Sequence, residues 1–138
     1  MDKGWWRNQG GFTLMEVMVV LLIMGVLVAI AMPGFSGQVE KARVSRTMAE
    51  LKSMQTLVEL YNLEHSEYPK AEQFKELMAE NGLGDIKDPW DREYSYTLNG
   101  KGYIILSHGP SGEGDAADNI YITNNTREPK QGSPGGDD

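Results

Sequence analysis

The sequence predicts an α+β fold in which one long N-terminal helix, apolar along its first part and amphipathic along its second, packs on a small antiparallel β-sheet. Three observations carry the prediction: an apolar run over residues 12–32, a helical apolar stripe from Val44 to Tyr61, and two strand-like runs joined by a glycine-rich turn. With 138 residues, the chain has material for one modest core.

The apolar run reads FTLMEVMVVLLIMGVLVAIAM, 21 residues in which Glu16 is the sole charge. At about 1.5 Å per residue such a helix is about 31 Å long, matching the roughly 30 Å hydrocarbon thickness of a bilayer. A secretory signal has a shorter apolar region, about 7–15 residues, that ends at small residues of the A-x-A kind. The end of this run, Ala29-Ile30-Ala31-Met32-Pro33, matches that pattern only loosely. An acidic group in a spanning helix costs about 2.5–3.5 kcal/mol at the centre, and less toward an end, so Glu16 needs a partner. Two readings of Glu16 follow: a carboxylate that snorkels to the headgroups, or one member of an ion pair with a cation on another chain. Gly25 and Pro33 bracket the second half of the run. A proline inside a helix removes a backbone donor, so this stretch is expected either to kink or to open locally. Lys3 and Arg7 precede the run while Lys41, Arg43 and Arg46 follow it, so the distribution of positive charge leaves orientation open.

After Pro33 a second helical pattern begins, with Val44, Met48, Leu51, Met54, Val58 and Tyr61 separated by 4, 3, 3, 4 and 3 residues. This single stripe spans fewer than about three heptads, which favours a face packed beneath a sheet over a coiled-coil seam. Tyr68-Pro69 ends the helix, and Phe74, Leu77 and Met78 mark a short one that Asn81-Gly82 caps. Strand-like runs at residues 93–98 and 103–107 flank Asn99-Gly100-Lys101-Gly102, a hairpin signal, and residues 120–123 supply a third strand. Residues 126–138 carry proline, glycine and charges with almost nothing apolar, and are expected to be disordered.

Composition removes several functional classes. Cysteine is absent, so there is no disulfide framework and no thiolate metal site. A formal charge of −7 argues against nucleic acid as a partner, since displacing counterions from phosphates needs a basic surface. His65 and His108 are the only histidines and stand in no ligand or triad spacing. With no nucleophile-base motif and no phosphate-binding loop, nothing nominates a catalytic centre.

The segment Gly10-Gly11-Phe12-Thr13-Leu14-Met15-Glu16-Val17 resembles the signal of type IV pilins and type II secretion pseudopilins. It combines a short leader carrying Lys3 and Arg7, a glycine at the cut, phenylalanine after it, glutamate five residues into the mature chain, and the apolar run. The resemblance implies a pilin-like organisation: residues 1–11 a cleaved leader, 12–33 a transmembrane and filament-core helix, 34–125 a periplasmic domain, 126–138 a tail. It implies that a prepilin peptidase cuts after Gly11 on the cytoplasmic side and N-methylates the amine of Phe12. That amine is the cation a neighbouring subunit's Glu16 would meet, so Phe12, Glu16 and Pro33 become the assembly residues. Residues 1–11 carry Asp2, Lys3 and Arg7, a net +1, so cleavage takes the chain from −7 to −8. The implied setting is a single pass through the bacterial inner membrane, with assembly into a homopolymer through the N-terminal helices. The implied partners are minor pseudopilins, the peptidase and the inner-membrane assembly platform.

Further along, Tyr68-Pro69, Asp88-Pro89-Trp90 and Ser107-His108-Gly109-Pro110 resemble the major pseudopilins, which extends the likeness over most of the mature chain. The function so implied is that of a structural subunit of a pseudopilus that drives protein export across the outer membrane. A type IV pilin for adhesion, motility or DNA uptake, and a membrane-anchored periplasmic binding protein, remain alternatives. Asp88-Pro89-Trp90 reads structurally as a turn proline beside a buried indole.

The major-pseudopilin pattern also implies a calcium ion in a glycine-rich loop. Laid on this sequence without gaps, it assigns the backbone carbonyl of His108, Ser111 where an aspartate is expected, and Asp118 with Asn119 where two aspartates are expected. Glu113 and Asp115 lie in the same loop and would restore charge in a rearranged site. Calcium takes 6–8 oxygen ligands and binds more weakly as their charge falls. A calcium-free loop held by hydrogen bonds from Ser111 and Asn119 is the other reading, and the ligand rules leave both standing.

Overall fold

A computed structural model describes residues 11–100 and 102–135, with backbone alone at residues 33 and 34. The leader residues Lys3, Arg7 and Gly10, the turn residue Lys101 and the last three residues lie outside the described residues. The chain divides into two compact units, Met1–Val39 and Glu40–Asp138, and helix α1, Leu14–His65, contributes to both.

In the first unit every side chain over residues 14–32 is exposed. An apolar helix exposed all round is not the core helix of its unit; it requires an apolar surrounding from elsewhere. In the single chain α1 runs through Gly25 and Pro33 without a break, so residues 25–33 are not open there. Pro33 withdraws one bond, the one its N–H would give to the Ala29 carbonyl, and the bonds on either side carry the helix through.

The second unit is built on the predicted stripe. Leu51, Met54 and Val58 of α1 are buried at 2% exposure or less, with Val44 and Met48 packed partly against the same core. Helix α2, Ala71–Glu80, adds Phe74 and Met78. It starts where the Lys70 N–H donates to Gln73 Oε1 (2.8 Å), and it ends at Asn81 with Gly82 at φ 76°, as the Asn-Gly pair predicts. The sheet is antiparallel throughout, in the order β1 (Ser95–Asn99), β2 (Gly102–Ser107), β3 (Ile120–Thr123), β4 (Lys130–Gln131). Period-2 alternation turns Tyr103, Ile105 and Ser107 of β2 inward, where Tyr103 and Ile105 meet Ile120 and Ile122 of β3. Each large side chain so buried contributes about 1.5–3 kcal/mol.

Two carboxylates on α1 tie the helix to aromatic side chains beside and within the sheet. The Tyr94 hydroxyl donates to Glu50, which also accepts from Arg46 Nε (2.7 Å), and the Tyr103 hydroxyl donates to Glu59 (2.8 Å). Tyr96 donates to the Pro69 carbonyl (2.6 Å) and stacks on Phe74, which fixes α2 over β1. Burial, reinforced by the neighbouring carboxylate, pushes the phenols of Tyr94 and Tyr103 far above their ordinary value. Burial pushes Tyr96 up to about 12.

The disordered tail expected from residue 126 is corrected over its described part. β4 pairs with β3, matching Ile120 to Gln131 and Tyr121 to Lys130. The connecting turn is held from α1: Gln55 Nε2 donates to the carbonyls of Thr123 (2.9 Å) and Thr126 (2.8 Å), and Lys52 Nζ donates to that of Arg127. Thr126 Oγ1 accepts from the Thr123 N–H (2.9 Å), closing the turn on itself. Order here comes from polar contacts with helix residues about seventy positions upstream, so local composition gave no sign of it.

A chain ending at Asn125 is expected to lose roughly 1–2 kcal/mol, or about 5–15 °C of thermal midpoint. An unchanged midpoint would return the tail to disorder. An unfolded tyrosine ionises near pH 10 while these folded ones keep their protons, so stability is fully present below about pH 10 and declines as pH rises above it. We expect the midpoint to hold from about pH 7 to 9 and to fall through about pH 10 to 12, with Tyr94→Phe and Tyr103→Phe each flattening the decline. A double variant that keeps the full slope would place the alkaline loss elsewhere.

Candidate functional site

Two places collect the residues singled out from the sequence: the start of α1 and the loop between β2 and β3. At the first, the chain over Gly11, Phe12 and Thr13 precedes the helix, and Phe12 is 86% exposed. A Cβ built on Gly11 would meet nothing within 4 Å, so packing within the chain does not demand glycine there.

Thr13 and Glu16 form a reciprocal capping box. The Glu16 N–H donates to Thr13 Oγ1 (3.2 Å), while the Thr13 N–H (2.9 Å) and Thr13 Oγ1 (3.0 Å) donate to Glu16 Oε2. The sequence reading weighed a headgroup contact against an interchain ion pair and missed this arrangement. Its signal was present in the Thr-x-x-Glu spacing ahead of an apolar run. Both bonds to the carboxylate fall on Oε2, which leaves Oε1 open to a second chain. Pro33 lies within α1, and its side chain is outside the described residues.

At the second place the hub is Asp88. The sequence reading buried the indole of Asp88-Pro89-Trp90; in the structure the indole is half-buried and the carboxylate is the buried member, at 3% exposure. The reason is its bonding: Asp88 Oδ1 accepts from the N–H groups of Trp90 (3.1 Å) and Arg92 (2.9 Å), and Oδ2 accepts from Ser107 Oγ (2.7 Å). A carboxylate taking three donors is solvated by its own turn. Asp91 completes that turn in the left-handed region at φ 66°, which aspartate tolerates better than bulkier residues.

Asp88 thereby links the turn at residues 88–92 to the loop that follows β2. Ser107 Oγ also accepts from the Gly109 N–H (3.3 Å). Arg92 Nη1 donates to the Gly109 carbonyl and Nη2 to that of Pro110 (3.4 Å). Gly109 (φ 60°) has no alternative residue, since a Cβ there would sit 2.2 Å from the Asp118 carbonyl oxygen.

The five residues assigned to calcium are bonded mainly within the loop. The His108 carbonyl accepts from the Gly112 N–H (3.1 Å). Ser111 is exposed, and its N–H donates to Asp118 Oδ2 (2.9 Å). Asp115 Oδ1 accepts from the Ala117 N–H (2.9 Å). Asp118 Oδ1 and Asn119 Oδ1 are buried oxygens without a hydrogen-bond partner. Among the described residues no three of His, Cys, Asp and Glu are grouped to hold a metal ion. Of the five, Asp118 alone offers a carboxylate oxygen that is buried and unpartnered, beside the neutral amide oxygen of Asn119, and calcium binds more weakly as ligand charge falls. His65 is remote from this loop, stacked on Tyr61 at the end of α1.

Comparison with known proteins covers both stretches of the chain. Residues 6–32 match the family described as prokaryotic N-terminal methylation motif, and residues 35–125 match the family described as type II secretion system (T2SS), protein G. The type II secretion system core protein G of Dickeya chrysanthemi is 33% identical, over 83% of this chain and 86% of the relative. Those of Escherichia coli strain K12 and Vibrio cholerae are each 33% identical, over 82% and 81% of this chain and 90% of each relative. No solved structure matches the chain significantly.

Removing the hub should be costly. Asp88→Ala leaves the buried Ser107 hydroxyl and the part-buried N–H groups of Trp90 and Arg92 without their acceptor and is expected to lose roughly 2–3 kcal/mol in urea unfolding, against about 1 kcal/mol for Ser107→Ala. Because the two groups share a bond, the double variant should be little worse than Asp88→Ala alone, and strict additivity would show the pair to be uncoupled.

Proposed function

On the premise that this chain belongs to the type II secretion system protein G family, we propose that its N-terminal helix serves as membrane anchor first and filament core afterwards. The family consists of structural subunits, the major pseudopilins, and the function follows from that membership. The observation that carries the proposal is the apolar surface of residues 14–32, exposed on every side and headed by a carboxylate with one oxygen open. The match over residues 35–125 favours this reading over a type IV pilin, which the N-terminal motif alone would also suit.

The sequence of events runs through two residues. A prepilin peptidase cuts after Gly11 on the cytoplasmic face of the inner membrane and methylates the freed amine of Phe12. Until that cut the Phe12 nitrogen is an uncharged peptide amide; afterwards it is a cation at the end of an apolar helix. In the homopolymer this cation meets Glu16 of the adjacent subunit, and a subunit out of register leaves a carboxylate buried without it, at about 3–5 kcal/mol. The second unit then projects into the periplasm, and minor pseudopilins and the inner-membrane platform assemble with the filament.

Glu16→Ala and Glu16→Gln separate the two roles of the carboxylate. Glutamine keeps an acceptor for the Thr13 cap, and alanine does not; neither can pair with a cation. Both variants are expected in the membrane fraction at wild-type amounts, with sheared-filament yield down about tenfold or more, as a loss of about 1.4 kcal/mol or more per contact would give. Normal filament yield from Glu16→Gln would leave the carboxylate with a capping role only.

A further inference from the structure

We infer that the β2–β3 loop is closed by the guanidinium of Arg92 acting as a built-in cation, so that this chain folds and holds the loop without calcium. The inference concerns the loop alone and stands whether or not the chain polymerises as proposed above.

The argument begins with what a bound cation does for such a loop: it gathers inward-facing carbonyl oxygens that have no N–H partner. Here two consecutive carbonyls, of Gly109 and Pro110, take their partners from the two terminal nitrogens of Arg92. A guanidinium presents its donors in a planar fork, which suits a pair of neighbouring oxygens better than a single ammonium does. The plane of that fork is covered by Gly112, where a Cβ would lie 3.1 Å from both Arg92 Cζ and Nη2. Gly112 stands at φ 77°, so the backbone itself selects glycine and gives the guanidinium room.

Arg92 is in turn held at its own backbone. Its N–H donates to Asp88 Oδ1 (2.9 Å) and its carbonyl accepts from the Asp88 N–H (2.8 Å). The remaining loop groups close on one another, His108 with Gly112 and Ser111 with Asp118. Gly109, whose carbonyl takes Arg92 Nη1, lies against Asp118, so a divalent ion at Asp118 Oδ1 would enter beside a segment that already holds a positive charge. The replacement of expected aspartates by Ser111 and Asn119 fits the same account, because a loop carrying its own cation needs fewer carboxylates.

Hydrogen exchange on the full chain in detergent, with about 5 mM calcium chloride or about 5 mM chelator, tests the inference. For wild type, exchange over residues 108–119 and the thermal midpoint should be the same in both conditions. Arg92→Gln should speed exchange over residues 108–119 by about 100-fold or more relative to residues 103–106, which report the sheet. Arg92→Lys keeps a charge on one nitrogen, reaches one carbonyl, and should give an intermediate effect while preserving the fold. Slower loop exchange or a higher midpoint for wild type in calcium would overturn the inference, as would wild-type loop protection in both variants.

Discussion

The structure depends on one constraint: a single helix has to satisfy two surroundings. Over residues 14–32 it is apolar on all sides and exposed, while over residues 47–58 it has one buried face and a polar remainder. At about 25 cal/mol per Å2, the apolar surface of the first stretch cannot be left in water, and nothing in its own unit covers it. Lipid and other copies of the same helix are the two surroundings that need no change in its sequence. A helix suited to both is what the proposed passage from anchor to packing element requires. The second stretch stays bound to its sheet throughout, through Leu51, Met54 and Val58 and through the two tyrosine–carboxylate bonds.

Much of this could be read from the residues, and what could be read was periodic. The stripe on α1, the C-terminal end of α2, the hairpin and the third strand all follow from spacing or from the turn chemistry of Asn-Gly pairs. Three features were not periodic and were missed. β4 consists of Lys130 and Gln131, which carry no apolar signal, and it is ordered by Gln55 and Lys52 from far upstream. Asp88 looked like a turn residue, and its burial follows from Ser107, nineteen positions away. The Thr13–Glu16 cap was local and legible, but a conspicuous charge in an apolar run drew the reading toward an interchain partner before its own helix end was considered.

The loop after β2 shows how far a family pattern carries. Its positions fall between β2 and β3, as the strand pattern indicates, and the structure adds the contact with the turn at residue 88. What the pattern could not supply was the partner of the Gly109 and Pro110 carbonyls, because that is Arg92, a residue outside the loop. A donor arriving from a neighbouring turn changes the chemistry of the loop without changing its path. The same geometry explains why Gly109 and Gly112 are needed: one lets the chain pass the Asp118 carbonyl and the other lets it pass the guanidinium.

The cap at Glu16 bears on how a charged residue tolerates both states of the helix. A bare carboxylate near the end of a spanning helix costs up to about 2.5–3.5 kcal/mol, and a capping interaction typically offsets about 1 kcal/mol of that. The free subunit is therefore not stranded with an unsolvated charge while it waits in the membrane. Because both capping bonds use Oε2, an incoming cation at Oε1 adds to the cap and does not compete with it. Assembly as proposed would then begin from a carboxylate already oriented by its own helix. The contact contributes chiefly to register: a neighbour displaced by even one turn, about 5.4 Å, presents an apolar side chain where the cation should be.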